Sequence, residues 1–332
     1  MLACETGIDW RELFDTVREY SGIAQKRDIQ LIPSQLGKAC AHDFYPNGDD
    51  CAVLPNGDSY HLLAIEGFIN RFVEEDPWFA GWCGVMVNVS DIAAMGGRPL
   101  AVVNALWSAG EDKAAQILAG MAAASSAFGV PIVGGHTNLR SQQTQLAVSI
   151  LGQAKALLSG FAAKPGQAIV AAIDLRGAWR APHLNWNAAT AADPAQLRRF
   201  IALLPEIAES GLAVAAKDIS QAGLLGTLTM LLESSQVGAD IALTAIPKPE
   251  NERWQDWLCA FPSFGYLLTT EFENVDALLA RFHSCGIAAA RIGEVTDTRR
   301  LNVTADHRQY CFWDLAHSAL TGFGRPDRSN HL

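Results

Sequence analysis

The sequence predicts a two-domain protein of mixed α+β and α/β class, and three observations predict it. A chain of 332 residues is longer than one small core organises and suits two domains. The periodicities of its first half run β-β-α-β-α-β-β, an order that makes a sheet with its helices segregated to one face. The stretch LSGFAAKPGQAIV, residues 158–170, then has the small residues and the Lys-Pro-Gly turn of a linker, and strands alternate with helices after it. The expected organisation is an N-terminal helical segment at 1–38, a first domain at 39–157, a second α/β domain at 158–310 and a tail at 311–332.

Each element has its own signal. Residues 9–37 read as a helix, a break at SGIAQKRD and a second short amphipathic segment. The stretch YPNGDDCAVLPNGDSYHLLAIE, residues 45–66, contains P-N-G-D twice. In the second copy Asn56-Gly57 sits between two apolar runs, which predicts a type I′ hairpin with positive φ at both central positions. The first copy has no strand before it, and the adjacent carboxylates Asp49 and Asp50 repel each other unless a cation neutralises them. It is either a plain turn or a metal site. DPWFAGWCGVMVNVSDIAAMGG is apolar on nearly every side, so it is a buried helix, started by Asp76-Pro77 and stopped by Gly96-Gly97. Its polar members Asn88, Ser90 and Asp91 need partners there. PLAVVNALW is a strand, Glu111 to Phe128 a helix, VPIVGGHT a short strand running into a glycine turn, and Gln145 to Ala154 another strand. In the second half a strand reaches Leu175, and residues 180–193, low in periodicity and with Asn, Trp and several Ala, read as a surface loop. Helices follow at 194–210 and 222–235, strands at 264–270 and 287–295 flank a helix at 273–284, and the chain frays after Gly322.

Composition narrows the function. The formal charge of -10 leaves no basic stripe for nucleic acid and no polybasic segment for anionic lipid. No apolar run is long enough to span a bilayer, and the first ten residues have neither the basic nor the apolar region of a secretion signal. The seven cysteines are scattered without a C-x-x-C pair, the pattern of reduced thiols in a cytoplasmic protein and not of a zinc or disulfide framework.

Acidic or glycine-rich stations recur where strands end or helices begin: NGDD at 47–50, AIEG at 64–67, NVSDIAAMGG at 88–97, VGGHT at 133–137 and AAKDISQAGLLG at 215–226. Singly, each has a structural explanation; Asp218, for one, reads first as an ordinary helix N-cap. Together, Asp50, Glu66, Asp91 and Asp218 are hard oxygen donors with no cysteine or second histidine nearby, a set that suits Mg²⁺ bridging phosphate oxygens. Gly134 and Gly135 let backbone N–H groups approach a polyphosphate. There is no Walker loop.

In this order, GDDCAVLP, an acid closing the next strand, NVSDIAAMGG, GGHT and KDIS resemble the superfamily of aminoimidazole ribonucleotide (AIR) synthetase, the PurM-like fold, over roughly residues 20–305. Thiamine-monophosphate kinase, selenophosphate synthetase and a hydrogenase-maturation dehydratase belong to it. The resemblance implies an N-terminal domain that pairs with its copy into a shared barrel, a C-terminal α/β domain, ATP between them held by Mg²⁺, and phosphorylation of a small-molecule oxygen or phosphate acceptor. The N-terminal segment would cover the ATP. Carried over residue by residue, Asp49, Asp50, Asp91 and Asp218 are metal acids, and Lys26 and Asp218 are catalytic. Lys26, Glu66, Asn88, Gly134, Gly135, His136, Thr137 and Ser220 contact the cofactor. SGIAQK, residues 21–26, is similar to the Gly-Cys-Gly-Cys-Lys segment of selenophosphate synthetase, with Ile23 at the reactive cysteine position. Lys26 is then either an essential lysine or a solvated one. Glu66 stands where relatives have Asp, His136 where the kinase and the ribonucleotide synthetase have an acid, and Gln221 where the kinase has another. These departures leave a second reading, a nucleotide-binding regulatory protein without turnover, and a third, a purely structural dimer.

Overall fold

The computed structural model describes residues 7–36 and 45–324. The chain opens with α1 (Trp10–Arg18), α2 (Ser21–Ala24), a 3₁₀ turn at Gln25–Gln30 and α3 (Leu31–Leu36). Asp9 caps α1 by accepting the N–H groups of Arg11 and Glu12. Residues 37–44, which include the end of the second amphipathic segment, lie outside the described residues, as do 325–332 of the tail.

The first domain contains β1 (Ala52–Asn56), β2 (Ser59–Gly67), α4 (Asn70–Glu75), α5 (Pro77–Ala94), β3 (Arg98–Ala109), α6 (Glu111–Phe128), β4 (Ile132–Asn138) and β5 (Arg140–Ala154). Its strands lie in the order β1-β2-β5-β3-β4, antiparallel except for β3 against β4. The hairpin lies where Asn-Gly predicts it, but Asn56 pairs with Ser59, so the two loop residues are Gly57 and Asp58. Only Gly57 has positive φ, at 59°, which is the type II′ pattern and not I′. Asp76 caps α5 and Pro77 takes its first position. The helix is buried on nearly all sides because the sheet, α6 and the second domain enclose it. VPIVGGHT does not end in a turn: Gly134 and Gly135 continue the edge strand β4 in register with Val103 and Asn104.

One sheet face packs Leu62, Ala64, Val148 and Ile150 against α5. The other face leaves Leu63, Ile65, Val103, Val133 and Leu151 exposed, Ile65 by 69% and Val133 by 64%. Alternation along each strand produces both faces, and the exposed one carries a contiguous group of apolar side chains.

The second domain contains β6 (Ala168–Ile173), β7 (Ala178–Arg180), β8 (Asn185–Asn187), α7 (Pro194–Glu209), β9 (Ala215–Asp218), α8 (Gly223–Ser235), β10 (Gly238–Ala242), α9 (Trp254–Leu258), β11 (Gly265–Thr270), α10 (Val275–His283), β12 (Ala288–Thr296), β13 (Arg300–Ala305) and β14 (Arg308–Asp314). Its mixed sheet runs β14-β13-β10-β12-β6-β11-β9, and only β10 and β13 pair in parallel. The stretch 180–193 is not a surface loop throughout. The β7–β8 hairpin buries Asn185 and Trp186, and Trp186 packs edge-on against Trp179 and Trp257, an apolar payload large enough to order a sequence without periodicity.

A core shared by the domains joins Ala93 and Ala94 of α5 to Val170, Leu204 and Tyr266. The ion pairs Arg180–Asp76 at 2.5 Å and Arg98–Glu209 flank it. The end of the described chain is tied down as well. The N–H groups of Leu320, Thr321 and Gly322 and the Thr321 hydroxyl all donate to the buried Glu233 carboxylate of α8. Gln30 donates to the Ala319 and Leu320 carbonyls, and Phe323 lies so close over Gly48 that a Cβ there would sit 2.5 Å from its side chain.

Candidate functional site

Three carboxylates converge where the domains meet. Asp50 comes from the loop before β1, Asp91 from the last turn of α5 and Asp218 from the end of β9. One oxygen of each lies within 4.8 Å of the others. Octahedral Mg²⁺ separates its ligand oxygens by about 3–4 Å, so a small rotation of one carboxyl brings all three onto a single ion. Asp91 is 5% exposed, and its Oδ2 has no hydrogen-bond partner. An acid orphaned in this way is a ligand in want of a cation or a proton.

Neither acid of helix or strand is a cap. Asp91 lies inside α5. Asp218 closes β9 five residues before α8 begins at Gly223, and its carboxylate accepts the Ser263 hydroxyl at 2.8 Å. Burial raises the Asp91 carboxyl well above the usual range, and Asp218, Glu66 and Asp50 push it further. Burial and then Asp50 raise Asp218 to about 7, the Ser263 hydrogen bond pulling the other way. Asp50 is raised too, by burial, although Lys217 opposes this. Without a cation, burial and mutual repulsion thus favour the protonated carboxyls, and a divalent cation would compete with those protons.

Asp49 is directed elsewhere. Its carboxylate accepts the Tyr45 hydroxyl at 2.6 Å, the Gly160 N–H at 2.7 Å and the Asp50 N–H at 3.0 Å. It is not one of the three converging acids, although the sequence pairs it with Asp50 as a metal residue. A Cβ at Gly160 would lie 2.6 Å from its Oδ1, so the linker glycine is what lets the backbone reach this acid.

Glu66 extends from the face of β2 that carries Leu62 and Ala64. Burial raises its carboxyl, Lys26 of the 3₁₀ turn opposes this, and Asp50 adds to it. Lys26 and Glu66 thus belong to the same electrostatic cluster as the three acids. Asn88, one turn before Asp91, donates to the Gly84 and Val148 carbonyls at 2.8 and 3.0 Å and leaves its own Oδ1 unpartnered. The Ser220 N–H donates to Thr227 Oγ1 at 3.2 Å while its hydroxyl has no partner. Ile23 is wholly buried in the second domain's core, so apolar packing occupies that position.

Gly134, Gly135, His136 and Thr137 are not brought to the acids within one chain. They lie exposed on β4, and β5 and β3 separate that strand from β2, about 14 Å at ordinary strand spacing. Sequence reasoning missed Lys217. Its ammonium is 4% exposed, pairs with Asp49 at 3.5 Å and contacts Asp50 directly. Burial acts to lower it, but Asp50 and Asp49 outweigh burial and hold it charged. The available signal was a lysine directly before an acid at a strand end.

The profile described as "AIR synthase related protein, N-terminal domain" matches residues 48–154, and the one described as "AIR synthase related protein, C-terminal domain" matches residues 165–306. The protein sll0787 of Synechocystis sp. is 44% identical over 316 residues, 94% of this chain and 98% of its own. Among solved structures, Thermotoga maritima PurL complexed with ADP superposes with a TM-score of 0.75 at 19% identity, over 92% of this chain and 52% of PurL. AaThiL complexed with AMPPCP and TMP gives 0.62 at 19% identity, over 86% and 96%. The chain spans about half of the PurL structure, and both structures share its two-domain PurM-like fold. Among the described residues no helix is long and apolar enough to cross a membrane. The chain belongs to the AIR synthase related protein family.

Proposed function

We propose that this protein is a Mg²⁺-dependent, ATP-using enzyme that transfers a phosphoryl group to an oxygen or phosphate of a small-molecule acceptor. The observation that carries the reading is the convergence of Asp50, Asp91 and Asp218 from both domains with a buried Asp91 oxygen left unpartnered. All the donors are hard oxygens, which suits Mg²⁺ over softer metals. Bound there, the cation neutralises charge on transferring phosphate oxygens, the main requirement of phosphoryl transfer. Asp50, Asp91 and Asp218 hold it, Asn88 and Ser220 offer polar atoms without partners, and Lys26 supplies a point charge on the Glu66 side. That PurL and AaThiL have been solved with ADP and AMPPCP supports a nucleotide as the ligand.

The working unit in this reading is a homodimer in the cytoplasm. The apolar face carrying Leu63, Ile65, Val103, Val133 and Leu151 covers the same face of a second copy. The exposed residues Gly134 to Thr137 of each copy then contact nucleotide from the dimer instead of from their own acid cluster.

The test is thermal melting with ATP, with and without Mg²⁺, for the wild type and Asp91→Asn. A ligand at a hundred times its Kd stabilises by about 2.7 kcal/mol. ATP is expected to stabilise the wild type only with Mg²⁺ and to leave Asp91→Asn unmoved. Equal stabilisation in excess EDTA refutes the shared-metal site. Release of ADP on adding candidate acceptors then identifies the reaction.

A further inference from the structure

The chemistry of the acid cluster leaves one residue unexplained. Lys217 is a buried cation among carboxylates that themselves suit cations. Its ammonium contacts Asp50 and lies 3.5 Å from Asp49, and the two acids come from the first domain while the lysine comes from the second. Asp49 is wholly buried and has no freedom to turn toward the three-acid cluster, because Tyr45 and Gly160 hold its other oxygen. Asp50 keeps one oxygen facing the Asp218 N–H at 3.4 Å, and the other is occupied by Lys217. A carboxylate held in this way can offer a metal one oxygen, not two. Without the lysine, Asp49 and Asp50 would be adjacent buried anions with no counter-charge, which is strongly unfavourable.

We propose that Lys217 is a built-in cation of this site, a protein charge standing where a further divalent ion would otherwise be needed, and that it sets how many ions the site takes. It acts as a positioning residue: it fixes Asp50 across the domain boundary and leaves the exchangeable ions to Asp91, Asp218 and the Asp50 oxygen that Lys217 does not contact. This inference rests on the metal-site reading above and extends it to stoichiometry.

The experiment counts Mn²⁺ bound per full-length chain, from the free-ion electron paramagnetic resonance signal, in titrations with Mn²⁺ alone and with Mn²⁺ plus AMPPCP. Lys217→Met is expected to bind one more ion than the wild type, and Lys217→Arg the same number as the wild type. In the double variant Asp49→Asn with Lys217→Met, one negative charge leaves with the positive one, and the count returns to that of the wild type. An unchanged or lower count in Lys217→Met, or an extra ion that persists in the double variant, overturns the proposal. Should Lys217→Met not fold, the double variant decides: folding with the wild-type count supports the built-in cation, and failure to fold overturns it. A wild type that binds no Mn²⁺ at all refutes the metal site itself, a result separable from failure of the lysine's role.

Discussion

Without divalent cations, the protein should lose stability as pH rises from 5 to 8, because Asp218 binds its proton more tightly folded than unfolded. Its carboxyl is raised from 3.8 to about 7. The folded state therefore carries the extra proton between those values, and stability falls with pH wherever the folded state binds more protons. The contribution is full only below the unfolded value of 3.8, has begun to fall by pH 5 and is nearly gone above the folded value of about 7. At about 1.36 kcal/mol per unit, moving from pH 5 to 8 costs on the order of 3 kcal/mol through Asp218, and Asp50, Asp91 and Glu66, raised as well, act in the same direction. With an unfolding entropy of about 2.1 cal/mol/K per residue, that is about 4 °C in melting temperature for this length of chain. The assay is a series of melts in EDTA from pH 5 to 8 for the wild type and Asp218→Asn, the variant being expected to show a flatter profile. Saturating Mg²⁺ should flatten the slope, since the ion displaces the proton and its gain in affinity, about tenfold for each unit of pH up to about 7, cancels the loss. A wild-type profile in EDTA that rises from pH 5 to 8 while that of Asp218→Asn is unchanged from it would refute the buried, protonated cluster.

Three further perturbations address the frame around the site. Gly160→Val drives a side chain into Asp49 Oδ1, 2.6 Å from the Cβ position, and should cost about 1–3 kcal/mol and weaken Mg-ATP binding, read by urea unfolding and calorimetry. Gly57→Val meets no atom within 4 Å, so its cost of about 1–2 kcal/mol comes only from positive φ and Mg-ATP affinity should stay unchanged. Ile65→Asp should change monomer stability by less than about 0.5 kcal/mol yet halve the mass seen in sedimentation; an unchanged mass sinks the paired-sheet dimer.

The parts legible in the sequence were those with local causes. Asp76-Pro77 marked the start of α5, Asn-Gly fixed the hairpin to within one residue, and the all-apolar helix announced that Asn88 and Asp91 were buried for a reason. Long-range causes were not legible. Asp49 and Asp50 are neighbours in the chain, yet a glycine over a hundred residues away claims the first and leaves the second to the acid cluster. Lys217 stood out only as a lysine before an acid at a strand end, a weak signal, because its partners belong to another domain. The stretch at 180–193 lacks periodicity because its order comes from Trp186 packing on Trp257 and not from a repeating face. The glycines of VPIVGGHT suggested a turn, but an edge strand tolerates them, since β3 supplies the pairing.

The Glu233 clamp has a bearing on how the molecule opens. Three successive amides and a hydroxyl converge on one buried carboxylate, so peeling residues 320–322 away strands an anion in the core and is coupled to disruption of α8. Phe323 travels with them and uncovers Gly48, next to Asp49 and Asp50. The last described turn of the chain and the acid-bearing loop therefore form one cooperative unit, far apart in sequence but exchanging their protons with solvent together. In native-state hydrogen exchange the amides of Leu320 and Thr321 should slow when Mg-ATP binds, although neither residue touches the acid cluster. Independent exchange at the two places would mean that the clamp opens without disturbing the loop.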